Sequence, residues 1–207
     1  MIISHTKKFI FIHIFKAAGN NIRKELQEYS YSKSKKNRLK SFIGVSPKYY
    51  SGDLPNHATA NQVKEYLPES IFKSYFKFAF VRNPWAWQVS LFHFMKQTPT
   101  HHQHSVVKSM SFDEYLDWRV NSDLKFQKEF VYNESGELLV ELVGKVERIQ
   151  LDFDRVCDKV GISRRILGVR NKSIHKPYTE YYDSQTRQII QEVFSEDIKL
   201  FNYTFES

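Results

Sequence analysis

The stretch FIFIHIFKAAGNNIR, residues 9–23, decides the fold. Its first part, residues 9–15, is an apolar run too short for a buried helix, and such a run is typical of a strand covered on both faces. The run ends at Lys16, and after Gly19 an amphipathic pattern begins that places Ile22 and further apolar residues on one helical face. The sequence therefore predicts a strand, a short loop of small residues and a helix, in that order.

This order makes residues 16–21 a candidate anion-binding loop. The free backbone N–H groups and the positive dipole end of the helix both face the loop, and Lys16 adds a full positive charge. The loop is not a Walker A motif, because Lys16 precedes Gly19 and no Ser or Thr follows. We therefore expect a phosphate-type group held by basic side chains and backbone, with no obligatory metal ion.

A second segment of the chain repeats the order of a strand, a basic residue and a helix start. Residues 75–81 contain alternating Phe side chains and predict a strand, which Arg82 follows directly. Asn83 is a good N-cap and Pro84 a good first helical residue, so a helix is predicted to begin there. Two such units predict an α/β fold with a central parallel sheet flanked by helices, and with ligands at the carboxyl ends of the strands.

The remaining elements follow from periodicity and from end signals. Pro68 ends one predicted helix, Ser111 opens another with a capping box, and Gly161 ends the helix that contains Cys157. An apolar run at residues 138–143 predicts a third strand, and a continuation past Gly144 to Ile149 stays open. Two short helices are predicted at residues 184–193 and 195–201.

Composition narrows the class of protein. The 207 residues suit one domain, residues 1–207, and 31 Lys and Arg against 23 Asp and Glu give a net charge of +8. Such a charge suits anionic ligands, but no nucleic-acid-reading motif accompanies it. The single Cys157 rules out an intrachain disulfide, and no apolar segment has the length of a membrane span. We expect a cytoplasmic protein.

Two polar segments carry weaker signals. Residues 33–40 are rich in Lys and Arg and are interpreted as a solvated loop, although contact with an acidic substrate stays open. His101, His102 and His104 lie close together, but no Cys or acidic partner accompanies them. No metal site is therefore predicted.

Two motifs resemble those of the sulfotransferase superfamily, in the branch that contains carbohydrate sulfotransferases. Residues 13–21, HIFKAAGNN, are similar to the family pattern His-x-x-Lys-x-x-Gly-Thr-Ser, and residues 81–90, VRNPWAWQVS, to Val-Arg-Asn-Pro-x-x-x-x-x-Ser. Weaker matches at residues 144–147, 171–173, 181–183 and 197–203 extend the resemblance over nearly the whole chain. The family's Thr-Ser is replaced here by Asn20 and Asn21, whose amides still donate hydrogen bonds to phosphate oxygens.

The resemblance implies transfer of a sulfuryl group from 3′-phosphoadenosine 5′-phosphosulfate (PAPS) to an acceptor hydroxyl or amine, on a P-loop-like nucleotide-binding fold and without a metal ion. A carbohydrate is the expected acceptor, by analogy with that branch. Lys16 matches the lysine that stabilises charge on the leaving phosphate. Arg82 and Ser90 match the pair that binds the 3′-phosphate. The remaining donor contacts expected from the resemblance are Ala17, Ala18, Gly19, Asn20, Asn21 and Lys172.

The general base is the least determined role. His57 lies between the two motifs, where related carbohydrate sulfotransferases place a catalytic histidine, and a histidine pKa suits the task. The same residue is equally compatible with capping or packing a helix, and His13 is expected to orient the loop. Two other functions stay open: a non-catalytic nucleotide-binding module, which Asn20 and Asn21 favour, and a kinase-like phosphotransferase, which lacks Walker residues and metal-binding acids here.

Overall fold

A computed structural model describes residues 1–30, 49–168 and 176–206. The basic segment at residues 33–40 and the candidate ligand Lys172 lie outside this part, so what was expected of them stays a prediction. The chain forms two compact units, Met1–Val81 with Glu129–Gly168, and Arg82–Lys128 with the described part of residues 169–207. A single domain likewise stays a prediction.

The sheet of the first unit has four strands in the order β1 (Ile2–Ser4), β2 (Phe9–Ile12), β3 (Phe76–Val81) and β4 (Leu142–Lys145). β2 pairs with β3 and β3 with β4 in parallel, which confirms the predicted α/β fold. β1 is antiparallel to β2, so the central parallel strands carry one antiparallel strand at this edge. The reason is the short connection between β1 and β2, which permits a hairpin but not a parallel crossover.

Two strand boundaries differ from the prediction. β2 ends at Ile12, so His13 lies just beyond the strand, although it is still buried. β4 begins at Leu142, whereas Leu138 takes part only in an isolated bridge with Tyr132. The apolar run at residues 138–143 marks buried chain, but pairing with β3 selects which residues form the strand.

The helices agree closely with the predicted ones. Among the described residues, the sequence analysis missed two short α-helices: α3 (Glu69–Ser74), which follows Pro68 directly, and α5 (His104–Val107). The α-helices of the described chain are α1 (Gly19–Leu26), α2 (Ala60–Tyr66), α3 (Glu69–Ser74), α4 (Pro84–Gln97), α5 (His104–Val107), α6 (Phe112–Ser122), α7 (Ile149–Val160), α8 (Ser184–Val193) and α9 (Ser195–Leu200).

The core of the first unit explains why the helices lie on the sheet. Phenylalanines of β2 and β3 pack in a buried cluster with one face of α1 and one face of α7. Gly161 ends α7 in the left-handed conformation, at φ 67°, as its position after the helix predicts. The cluster consists of Ile2, Phe9, Phe11, Ile22, Leu26, Phe78, Phe80, Phe153, Val156, Cys157, Val160 and Leu167.

The second unit is organised around α4. Nearly the whole of this helix is buried, including both Trp85 and Trp87. The Trp87 ring meets Phe194 edge-on at 6.3 Å between centroids, and Phe92 meets Phe112 at 5.5 Å. In the part of the chain that the structure describes, no helix is both long and apolar enough to cross a bilayer.

Candidate functional site

The loop between β2 and α1 has an unusual backbone. Lys16 and Ala18 both adopt positive φ, 58° and 57°, and Ala18 is the N-cap of α1 without a side-chain cap hydrogen bond. The backbone N–H groups of Asn21 and Ile22 donate to the Ala18 carbonyl at 3.1 and 3.4 Å. The N–H groups of Gly19 and Asn20 precede these first helical hydrogen bonds, and the first turn carries no acidic residue. The helix start is therefore suited to an anion.

Gly19 is required by its contact with His13. A Cβ built on Gly19 would lie 1.8 Å from His13 Cδ2 and 2.0 Å from Nε2, far inside van der Waals contact. The glycine of the loop thus serves close packing against an imidazole, since its φ is not in the left-handed region. Any side chain at this position must displace His13.

His57 lies beside His13, which brings together two residues 44 positions apart in the sequence. The two ring centroids are 4.4 Å apart, and His57 Nδ1 is 2.8 Å from the His13 carbonyl oxygen. A carbonyl only accepts, so Nδ1 carries the proton and Nε2 of neutral His57 has a free lone pair. Thr59 and Gln62 form the capping box of α2, which excludes the capping role for His57.

Burial lowers the pKa of both histidines. Desolvation lowers the pKa of His13 to about 2, with further contributions from nearby positive groups that include Arg23. Desolvation also lowers the pKa of His57, and the hydrogen bond to the His13 carbonyl opposes part of that shift. Both imidazoles are therefore neutral at pH 7, which is the state a proton acceptor needs.

Aromatic side chains surround this pair. Phe15 meets the His57 ring edge-on at 5.9 Å between centroids and meets Phe130 at 5.6 Å. Phe130 is buried and Phe15 is half-buried, so the loop carries an apolar surface next to the imidazole. The sequence analysis gave Phe15 no role.

Arg82 and Asn83 open the second unit. The Asn83 side chain accepts hydrogen bonds from the N–H groups of Trp85 and Ala86, at 3.1 and 3.3 Å, and so caps α4 as predicted. Its amide nitrogen donates to the Thr204 carbonyl at 2.8 Å. Arg82 is half-buried and Ser90 is buried, with 2% of its surface exposed. The helix start thus has a fixed backbone.

Gln127 and Asp197 hold the Arg82 backbone in place, and sequence reasoning did not single out either side chain for this. The Gln127 amide accepts from the Arg82 N–H at 2.8 Å and donates to the Arg82 carbonyl at 2.7 Å. The buried Asp197 carboxylate in turn accepts from the N–H groups of Gln127 and Lys128, at 2.7 and 2.9 Å. No sequence motif marks such a contact between distant segments.

Lys145 is a further basic residue at the carboxyl end of a strand. It pairs with Val81 across β3 and β4, and its N–H donates to buried Asp152 at 2.9 Å. Burial, with a contribution from Arg148, lowers the pKa of its amine.

The structure therefore brings part of the predicted site together. Within the first unit, His13 lies between Gly19 of the loop and the His57 ring. Arg82 and Ser90 belong to the second unit, and Lys172 lies outside the described residues. In the described chain there is no group of three His, Cys, Asp or Glu arranged to hold a metal ion.

Comparisons with known proteins identify the family and the fold. The family model described as "Sulfotransferase family" matches residues 1–204. The fold is similar to that in the crystal structure of mouse sulfotransferase SULT7A1 complexed with PAP, with a TM-score of 0.59 and 12% sequence identity over 98% of this chain and 91% of that one. No curated protein matches the sequence.

Proposed function

Because the chain belongs to the sulfotransferase family, we propose that it transfers a sulfuryl group from PAPS to an acceptor hydroxyl or amine. The observation that carries the proposal is the pairing of an anion-binding loop with a neutral imidazole. The loop ends at a helix start without acidic residues, and the imidazole next to it has Nε2 available as a base. The similar mouse enzyme was solved with PAP, 3′-phosphoadenosine 5′-phosphate, which is PAPS without its sulfuryl group.

The loop fits the 5′-phosphosulfate of the donor. Lys16 supplies the cation, and the N–H groups of Gly19 and Asn20 supply donors at the positive end of α1. Asn20 is exposed, so its amide is accessible to a phosphate oxygen in place of the hydroxyl usual in the family. Ala17, Ala18 and Asn21 complete the segment that we assign to donor binding.

The reaction exchanges one sulfur–oxygen bond for another. The acceptor oxygen or nitrogen forms a bond to sulfur, and the bond from sulfur to the 5′-phosphate oxygen breaks. His57 Nε2 takes the acceptor's proton, and Lys16 stabilises the negative charge that develops on the leaving phosphate. The products are PAP, a sulfated acceptor and a protonated His57, which returns its proton to solvent.

We assign the 3′-phosphate of the donor to Arg82 and Ser90, with Lys172 as a further contact. A guanidinium offers paired N–H donors that match phosphate oxygens, and Gln127 keeps the Arg82 backbone fixed. The buried Ser90 adds a hydroxyl on α4. The roles of Arg82 and Ser90 follow the motif at residues 81–90, and that of Lys172 follows the weaker match at residues 171–173.

We propose a carbohydrate as the acceptor. Phe15 offers an apolar surface beside His57, which suits the C–H face of a sugar ring. The net charge of +8 suits an acidic glycan. We also propose a cytoplasmic location, in line with the single buried Cys157.

A non-catalytic nucleotide-binding protein is the second candidate. Asn20 and Asn21 favour it, because the family pattern has hydroxyl side chains at these positions. In that case PAP binds, but no acceptor is sulfated.

Two measurements test the proposal. First, we expect PAP to raise the melting temperature without added Mg²⁺, and ADP or ATP to raise it less. Second, labelled sulfate is followed from PAPS to a panel of glycans, alcohols, phenols and peptides. A Mg²⁺-dependent shift with ATP alone would contradict the proposal, whereas a PAP shift without transfer to any acceptor identifies the non-catalytic alternative.

A further inference from the structure

We propose that His13 is a positioning residue that couples the donor-binding loop to the base. Its imidazole fills the space between Gly19 of the loop and the ring of His57. Its own backbone carbonyl fixes the tautomer of His57. This inference rests on the proposed function, because it assigns His13 a role in preparing His57 for proton transfer.

The His13 ring has almost no room to move. Only 5% of its surface is exposed, and it stacks on Phe11 at 5.8 Å between centroids with an interplanar angle of 21°. Gly19 closes a second side, where a single added carbon would overlap the ring. The His57 ring lies on a third side, with 4.4 Å between the two ring centroids. A displacement of His13 away from Gly19 is therefore passed to His57.

The backbone of His13 sets the chemistry of His57. The 2.8 Å hydrogen bond requires the proton on Nδ1, although histidine has two possible neutral tautomers. With Nδ1 occupied, Nε2 is the nitrogen that accepts the acceptor's proton. One residue thus determines both the position and the tautomer of the base, through its ring and its carbonyl respectively.

The His13 side chain suits a purely positional task. Its Nδ1 is buried without a hydrogen-bond partner in the described chain, so the ring makes no polar contact that would fix it there for another reason. The neighbouring groups Arg23 and His57 offer no negative charge to stabilise a protonated ring. The imidazole therefore acts as a neutral, flat spacer.

The test compares Gly19→Ala with the double variant Gly19→Ala/His13→Ala. The single variant forces the ring toward His57, whereas the double variant removes the ring and makes room for the new methyl group. The first readout is ¹⁵N NMR of the histidine side chains in the protein without ligand, which distinguishes the Nδ1–H from the Nε2–H tautomer. The second is kcat and KM for sulfuryl transfer, with the PAP-induced melting shift as a control for donor binding.

We expect His57 to be the Nδ1–H tautomer in the native chain. In Gly19→Ala the Nε2–H tautomer should appear and kcat should fall on the order of 10²-fold. The double variant has no clash but also lacks the ring that supports His57, so it should regain part of the Nδ1–H tautomer and about tenfold of the lost kcat. The inference is overturned if Gly19→Ala leaves the tautomer unchanged, or if the double variant is no better than the single one.

His13→Asn provides a second test should Gly19→Ala not fold. It keeps the backbone carbonyl but removes the ring that supports His57. We expect a mixture of tautomers and about a tenfold loss of kcat, with the PAP melting shift retained. Unchanged tautomer and kcat in this variant overturn the inference. If the native protein transfers no sulfuryl group at all, the proposed function fails, while the NMR comparison still decides whether His13 positions His57.

Discussion

At the scale of single residues, burial gives His13 properties that its residue type does not predict. Histidine usually titrates near neutrality, yet desolvation lowers the pKa of His13 to about 2. Its neighbour His57 has a larger exposed surface, although desolvation lowers its pKa as well, and it keeps one nitrogen available. Two adjacent imidazoles thus differ in role because they differ in contact with water.

The first prediction concerns acid stability. In the unfolded chain His13 titrates near 6.5. Below that pH the unfolded state binds a proton at this residue, whereas the folded state does not. Stability therefore falls as pH decreases, and this group alone should remove about 2 kcal/mol of unfolding free energy between pH 7 and pH 5. Urea denaturation of the native chain and of His13→Asn at both pH values measures it. Parallel pH dependences in the two proteins would contradict the prediction.

The second prediction separates the two basic residues of the motifs. Lys16→Ala should lower kcat by roughly 10²- to 10³-fold, because it removes the cation at the developing charge. Arg82→Ala should instead raise the Kd of PAP by about 10- to 100-fold, through the loss of charged hydrogen bonds to the 3′-phosphate.

Arg164→Ala is the matched control for charge, since Arg164 is an exposed residue paired with Asp158. It should leave both quantities unchanged. Adenosine 5′-phosphosulfate, which lacks the 3′-phosphate, should bind native protein and Arg82→Ala equally. A large loss for that ligand would show that Arg82 acts elsewhere.

At the scale of secondary-structure elements, close packing between β3 and β4 restricts one residue of the sheet. A Cβ at Gly144 would lie 2.6 Å from Cε1 of the buried Phe80 ring. The two residues are register partners on adjacent parallel strands. A glycine, which normally weakens a strand, is here the residue that allows β4 to approach the phenylalanine cluster.

The third prediction follows from that contact. Gly144→Ala should destabilise the protein by about 1–3 kcal/mol, because the buried ring has to move. Gly52→Ala is the control, since a Cβ there meets nothing within 4 Å. Its effect should lie within about 0.5 kcal/mol of zero. Equal unfolding free energies for the two variants would show that the sheet adapts without cost.

At the scale of the whole molecule, the elements that neighbouring residues determine could be predicted from the sequence, whereas contacts between distant segments could not. The apolar runs of β2 and β3 and the Asn-Pro start of α4 are strong because each depends on neighbouring residues. β1 was missed, since three residues carry no periodicity and their pairing depends on β2. The contacts of His57 with His13 and of Gln127 with Arg82 join segments more than 40 residues apart. No sequence pattern within one segment indicates which residue of the other segment it contacts.

The fourth prediction concerns the net charge of +8. PAP carries several negative charges, so its binding should weaken as NaCl rises from 0.1 to 1 M, over which the Debye length falls from ~10 to ~3 Å. Titration calorimetry at several salt concentrations measures the dependence. Lys16→Gln should show a shallower dependence, because one positive charge is lost at the ligand. A Kd for PAP independent of salt would contradict the assignment of a basic site.

Cys157 offers a consequence of a different kind. The only sulfhydryl of the chain lies on α7, fully buried against the sheet, and burial raises its pKa. Thiol reagents react with the accessible thiolate, so the folded protein should stay unmodified until α7 separates from the sheet. The rate of labelling therefore measures how often α7 separates from the sheet. It also leaves a clean background for a reporter dye on a cysteine introduced at the exposed position of Asn20.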